Sequence, residues 1–139
     1  MKYEVKVLNL KMYEYEGNAL LNIENYKVLV AYQAPLEFIK QHINIREKIY
    51  VDFWLLYGNA KKVNSNQKIM ATNVNIAGGK IAGEIVSLFS PYEFRIDCGV
   101  LIDIENDNAI KDINIGDYIE IEGTYQIYFP NTMWERKER

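Results

Sequence analysis

Cysteine, histidine and proline are all scarce in this chain of 139 residues, with one, one and three copies. A single thiol, Cys98, excludes an intrachain disulfide and any four-cysteine zinc site. A lone His42 excludes H-E-x-x-H. G-x-S-x-G, the P-loop and G-x-G-x-x-G are missing too. "AGGKIAG" (Ala77–Gly83) has the glycines of a phosphate loop but lacks its Gly-Lys-Ser/Thr end, so it reads as a turn. No run approaches the ~18 apolar residues of a membrane helix. Charges interrupt every apolar run in the opening "MKYEVKVLNLKMYEYEG", so no signal peptide is expected, and the expected location is the cytoplasm, with no membrane partner. Positive charge is also in deficit: 16 Lys and Arg stand against 19 Asp and Glu, a net charge of −3. That weighs against nucleic acid, whose phosphates are bound by releasing counterions to a basic surface.

What remains is an ordinary globular composition, 49% hydrophobic and 25% charged, long enough to bury a core without disulfides or metals. One compact domain over residues 1–139 is expected. The eleven tyrosines accompany heavy use of Ile, Asn and Lys, as A+T-rich coding would produce, so their number alone is no sign of an aromatic surface.

Period-two alternation dominates, the mark of half-buried strands. Val5 and Val7 share one face, then Leu8, Leu10 and Met12 take the other; Ile81 and Ile85, then Val86 and Leu88, do the same. Each switch requires a bulge or sharp bend, because a one-residue slip turns every side chain over. Gly17-Asn18 reads as a turn, and Ala19–Ile23 and Tyr26–Tyr32 as strands. "PLEFIKQH" (Pro35–His42) predicts about two turns of helix opened by proline. In "REKIYVDFWLLYG", Ile49, Val51, Phe53, Leu55 and Tyr57 share the inner face. "GNAKKVNSNQK" is a polar loop, and Met70, Thr72, Val74 and Ile76 alternate as a further strand. Tyr92 to Ile104 keeps one apolar phase, with Gly99 the place to bend. The final strand, in "INIGDYIEIEGTYQIYFP", turns Ile119, Ile121, Tyr125 and Ile127 inward and a solvated acidic face outward.

The two ends of the chain echo each other. "INIREKIYVDFWLLYG" and "INIGDYIEIEGTYQIYF" align at an offset of 70, and Val7–Leu10 matches Ile85–Leu88 at 78. This predicts pseudo-repeat halves over 1–60 and 79–130, followed by a tail over 131–139. The stretches "GKIAGEIVSLF", "YEFRIDCGVLIDIE" and "IGDYIEIEGTYQIYF" resemble an OB-fold across residues 79–129, and 3–58 more weakly. The expected class is therefore all-β: an antiparallel barrel or sandwich of roughly seven to nine strands, as one fused body or two OB-like halves, with one short helix near 35–42. The resemblance implies binding rather than chemistry, with no cofactor.

Candidate sites are few. Cys98 on the apolar phase reads as an inert buried thiol. "DIENDN" alternates Asp103, Glu105 and Asp107 like a calcium loop, but Asn108 and Asn114 stand where Gly and Glu belong. The long strand at 48–57 is unusual in its outer face, where Tyr50, Asp52 and Trp54 set two aromatics around a carboxylate. Two readings fit: a ligand-binding anchor patch, or a second packing layer, since strands covered on both faces are apolar on both. The tail pairs Trp134 with Arg136, Lys137 and Arg139. The functional expectation is a non-catalytic module binding a protein partner, in the manner of inhibitors and immunity proteins whose acidic faces match basic partners. The alternatives are a single-stranded nucleic-acid binder of OB type and an enzyme of unrecognised class.

Overall fold

The computed structural model describes residues 2–129; the Trp134 tail motif lies outside the described residues. The described chain is all-β with one short helix, in agreement with the sequence. Its elements are β1 (Lys2–Met12), β2 (Glu16–Ile23), β3 (Tyr26–Gln33), α1 (Leu36–His42), β4 (Lys48–Gly58), the two-residue β5 (Lys61–Lys62) and β6 (Ile69–Met70), β7 (Gly79–Leu88), β8 (Glu93–Asp97), β9 (Leu101–Asn106) and β10 (Tyr118–Tyr128). None of the described helices is long and apolar enough to cross a membrane. Contacts divide the chain into two compact units, with boundaries inside β4 (Phe53/Trp54) and inside β10 (Tyr125/Gln126).

Among the described residues, the first unit holds Lys2–Phe53, Asn73–Ala77 and Gln126–Phe129. Its strand order is β4–β1–β2–β3–β10. Lys48–Asp52 of β4 run antiparallel to Lys2–Lys6, β1–β2 and β2–β3 are hairpins, and Ala31 and Tyr32 pair in parallel with Gln126 and Ile127. Alternation does the sorting: Val5, Val7, Leu21, Val28, Val30 and Val51 are all buried. The phase switch of β1 is a bulge between Val7 and Asn9. There the Arg46 N–H donates to the Val7 carbonyl (2.6 Å) and the Val7 N–H to the Glu47 carbonyl (3.2 Å). Helix α1 buries Phe38 and Ile39, with the Phe38 ring tilted against Phe129 at 5.5 Å and Tyr32 edge-on to Phe129 at 5.7 Å. Lys40 and His42 lie in its last turn, where positive charge suits the helix dipole.

The second unit holds Trp54–Thr72 and Gly78–Tyr125. Trp54 and Leu55 pair in parallel with Asp103 and Ile104, β9 with β8, β8 with β7, and β7 with Tyr118–Gly123 of β10. β10 pairs with β4 as well. A Cβ on Gly58 would strike the Ile121 side chain, and one on Gly123 would come within 2.7 Å of the Leu56 carbonyl oxygen. Glycine at both positions lets the two backbones meet, and β4–β9–β8–β7–β10 closes as a barrel-like ring. The bulge of β7 falls between Ile85 and Ser87. Here the Gly116 N–H donates to the Ile85 carbonyl (2.9 Å) and the Ile85 N–H to the Asp117 carbonyl (2.8 Å). Arg46 and Gly116, the two turn donors, both have positive φ, 72° and 95°.

Several local expectations change. Gly17 lies inside β2, and the turn falls at Tyr13–Tyr15, where the Tyr13 N–H bonds back to the Glu16 carbonyl. The run from Tyr92 to Ile104 is a hairpin rather than a bent strand, because Gly99 takes φ 101° and reverses the chain. Only Ile69–Met70 of the alternating stretch to Ile76 is a strand; Asn73 and Ile76 close a turn, and Val74 and Ile76 are exposed. Tyr57 leaves the inner face altogether. The β4–β9 register slips between Leu55 and Gly58, and the bulge turns the ring out to solvent.

Candidate functional site

The outer face of the second unit follows from its strand periods. Phe94, Ile96, Ile102 and Ile104 are fully buried, so Glu93 and Arg95 of β8, and Asp103 and Glu105 of β9, point the other way. Cross-strand pairing sets Trp54, Asp103, Arg95 and Ser87 in one row. Asp103 is only 3% exposed although it lies on this outer face. Arg95 holds it, Nε donating to Oδ1 at 2.7 Å and Nη2 reaching Oδ2 at 3.5 Å. The guanidinium also sits 5.4 Å from the centre of the Phe89 ring. A planar cation fixed between a carboxylate and a ring is the arrangement arginine serves better than lysine. Phe89 is 56% exposed; Tyr92, just before β8, and Tyr57, near the end of β4, are 50% and 67% exposed. Beneath Phe89, a cleft of about 360 Å³ is lined by Leu88, Pro91, Ile110 and Ile113.

The residues picked out in sequence are placed as follows. Tyr50 is exposed on the first unit, its hydroxyl donating to Glu4 Oε2 at 2.8 Å beside Lys48. That bond raises the Tyr50 pKa and, with Lys48, lowers that of Glu4. Asp52 is half-buried opposite Lys2 in the same unit. Trp54 is half-buried in the second unit, opposite Asp103, and alone of the three belongs to the Arg95 row. Arg95, Phe89, Tyr92 and the outward Tyr57 escaped sequence reading. Arg95 is the single basic residue in "FRIDCGVLID", and taking Gly99 as a hairpin would have set it opposite Asp103.

Among the described residues, no group of three or more His, Cys, Asp or Glu side chains is placed to hold a metal ion. Asp103, first in the calcium-like spacing, is engaged by Arg95. His42 lies against Phe38 at 4.9 Å. Cys98 is buried in the β8–β9 turn and donates to the Val100 carbonyl at 3.2 Å. Burial pushes its pKa from 9.0 up to about 11. A folded-state value above the unfolded one means that the neutral thiol stabilises the fold below pH 9, a contribution lost between about pH 9 and 11. The urea midpoint is expected to fall across that window, and Cys98→Ala to flatten the fall; an equal decline in the variant would assign it to other groups.

Compared with known protein families and with curated proteins, the chain matches none.

Proposed function

We propose that the protein is a non-catalytic binding module whose partner is another protein, engaged through the Phe89–Arg95 face of the second unit. The observation that carries this is the exposure of Phe89 against an arginine already fixed in place, with Tyr92 and Tyr57 exposed on the same unit. Aromatic residues and arginine are the types enriched at interface centres, and here they are presented without an ordering penalty on Arg95. An OB-like reading of each unit agrees with this role. It is supported by the order long strand, bulged strand, second strand, third strand, and by a parallel partner for the third strand in both units. The matching bonds at Val7 and Ile85 favour two related halves.

Photo-crosslinking tests the reading. A benzoylphenylalanine at Phe89 in the full chain, expressed in its own cells, is expected to capture one discrete protein. The same group at Ile45, 48% exposed on the first unit, is expected to capture none. Equal smearing from both positions, or no adduct at Phe89, would count against the proposal.

A further inference from the structure

The two units differ at one matched place. The parallel pairing of Ala31 with Gln126 corresponds, at an offset of 72, to that of Asp103 with Trp54, and the next pair keeps the offset. The same offset sets Tyr57 against Phe129. Phe129 is buried under Phe38 of α1. In the second unit the turn at 107–113 stands where α1 would be, with the smaller Ile110 at the place of Phe38, and Tyr57 faces solvent with φ 58°. Left-handed backbone is uncommon for a bulky residue, so the ring is held outward by the chain itself.

Beside Tyr57 lies a run of groups with one charge. Asn106 pairs across from Gly58, and its N–H donates to the Tyr92 carbonyl at 2.8 Å. The residue before it, Glu105, stands directly opposite Glu93. Among the described residues neither carboxylate makes an ion pair, and both are exposed. Like charges facing each other destabilise a strand pair. The matched pair in the first unit is Glu16 with Gln33, which has only one carboxylate. The one arginine of the second unit, Arg95, is already committed to Asp103. Acids outnumber bases ten to six in the second unit as a whole.

We infer that Tyr57, Tyr92, Glu93 and Glu105 form a docking site for lysine and arginine side chains of a partner protein, which rests on the protein-binding reading above. Ring faces attract an ammonium or guanidinium, and the two carboxylates lose their mutual repulsion when a cation lies between them. Steering by such a rim is sensitive to salt.

The test uses the full chain and a nine-residue peptide of arginine, lysine and glycine, followed by calorimetry. Binding is expected at about 50 mM salt and a sharp loss at about 300 mM. Glu93→Gln with Glu105→Gln is expected to weaken it at least about tenfold. Glu24→Gln with Glu37→Gln, which removes the same charge from the first unit, is expected to change it less than about twofold. Tyr57→Gly is expected to weaken binding about fivefold while raising the urea midpoint, because glycine fits φ 58° without strain. That opposite movement separates recognition from folding. No binding at low salt, or equal weakening by both glutamine pairs, would overturn the inference. If the peptide fails while Phe89 still captures a protein, only the basic character of the partner falls; if both fail, the binding reading falls with it.

Discussion

Arg95→Ala is expected to destabilise the protein by about 3 kcal/mol, lowering the melting temperature by about 10 °C. The effect comes from what the substitution leaves behind. Asp103 is 3% exposed, and without the guanidinium its carboxylate loses its cationic partner in a site water hardly reaches. Arg95 retains partial exposure, which keeps the figure at the lower end for buried pairs. The pair itself is worth far less than its rupture suggests. Replacing both members, Arg95→Met with Asp103→Leu, is expected to recover stability to within about 1 kcal/mol of the parent. Urea unfolding of the two singles and the double gives the coupling directly. A single variant as stable as the parent would show that Asp103 is satisfied by its other contacts. The double variant also informs function: if it folds but loses the crosslink from Phe89, the fixed arginine belongs to the interface.

Phe38→Ala is expected to cost about 3–5 kcal/mol, the largest loss from any single substitution considered. Phe38 is fully buried and is one of two residues by which α1 holds to the first unit. Its ring meets Phe129, which meets Tyr32, so truncation opens a cavity beside two further aromatics. Phe38→Leu, which keeps most of the volume, is expected to lose under half as much. Equal losses in both would point to ring–ring geometry rather than volume. A loss below about 1 kcal/mol would mean that the helix re-seats over Phe129.

The fold was readable where a local period carried the information. Both phase switches became bulges at the expected residues because alternation fixes which side chains enter the core. Ile119, Ile121, Tyr125 and Ile127 turned inward for the same reason. Helix α1 announced itself through Pro35 and the spacing of Leu36 and Ile39. The candidate site was hardly readable, because it depends on pairing between distant segments. Asp103 looks like a solvated acid until Arg95 is set across from it. Tyr57 has the inward phase of Phe53 and Leu55, and only the slipped register against β9 turns it out. Of the patch proposed from sequence, Trp54 alone lies in the Arg95 row, since strand phase says which face a residue takes but not what its neighbours are.

The interchange of last strands bears on how the chain is made. β3 meets its parallel partner only at Gln126 and Ile127, close to the last described residue. The ribosome must therefore have made the chain as far as Gln126 before the first unit can complete its strands. Through that interval the outer edge of β3 stays open at Ala31 and Tyr32, a template for unwanted strand pairing. The parallel pair of the second unit waits less, since Trp54 and Leu55 are made before any of β7, β8 or β9 and are ready when β9 emerges. The ring of the second unit still closes only when Tyr118–Gly123 of β10 arrive, a few residues ahead of Gln126, so both units are completed nearly together. One strand, β10, is thus the last partner that either unit receives.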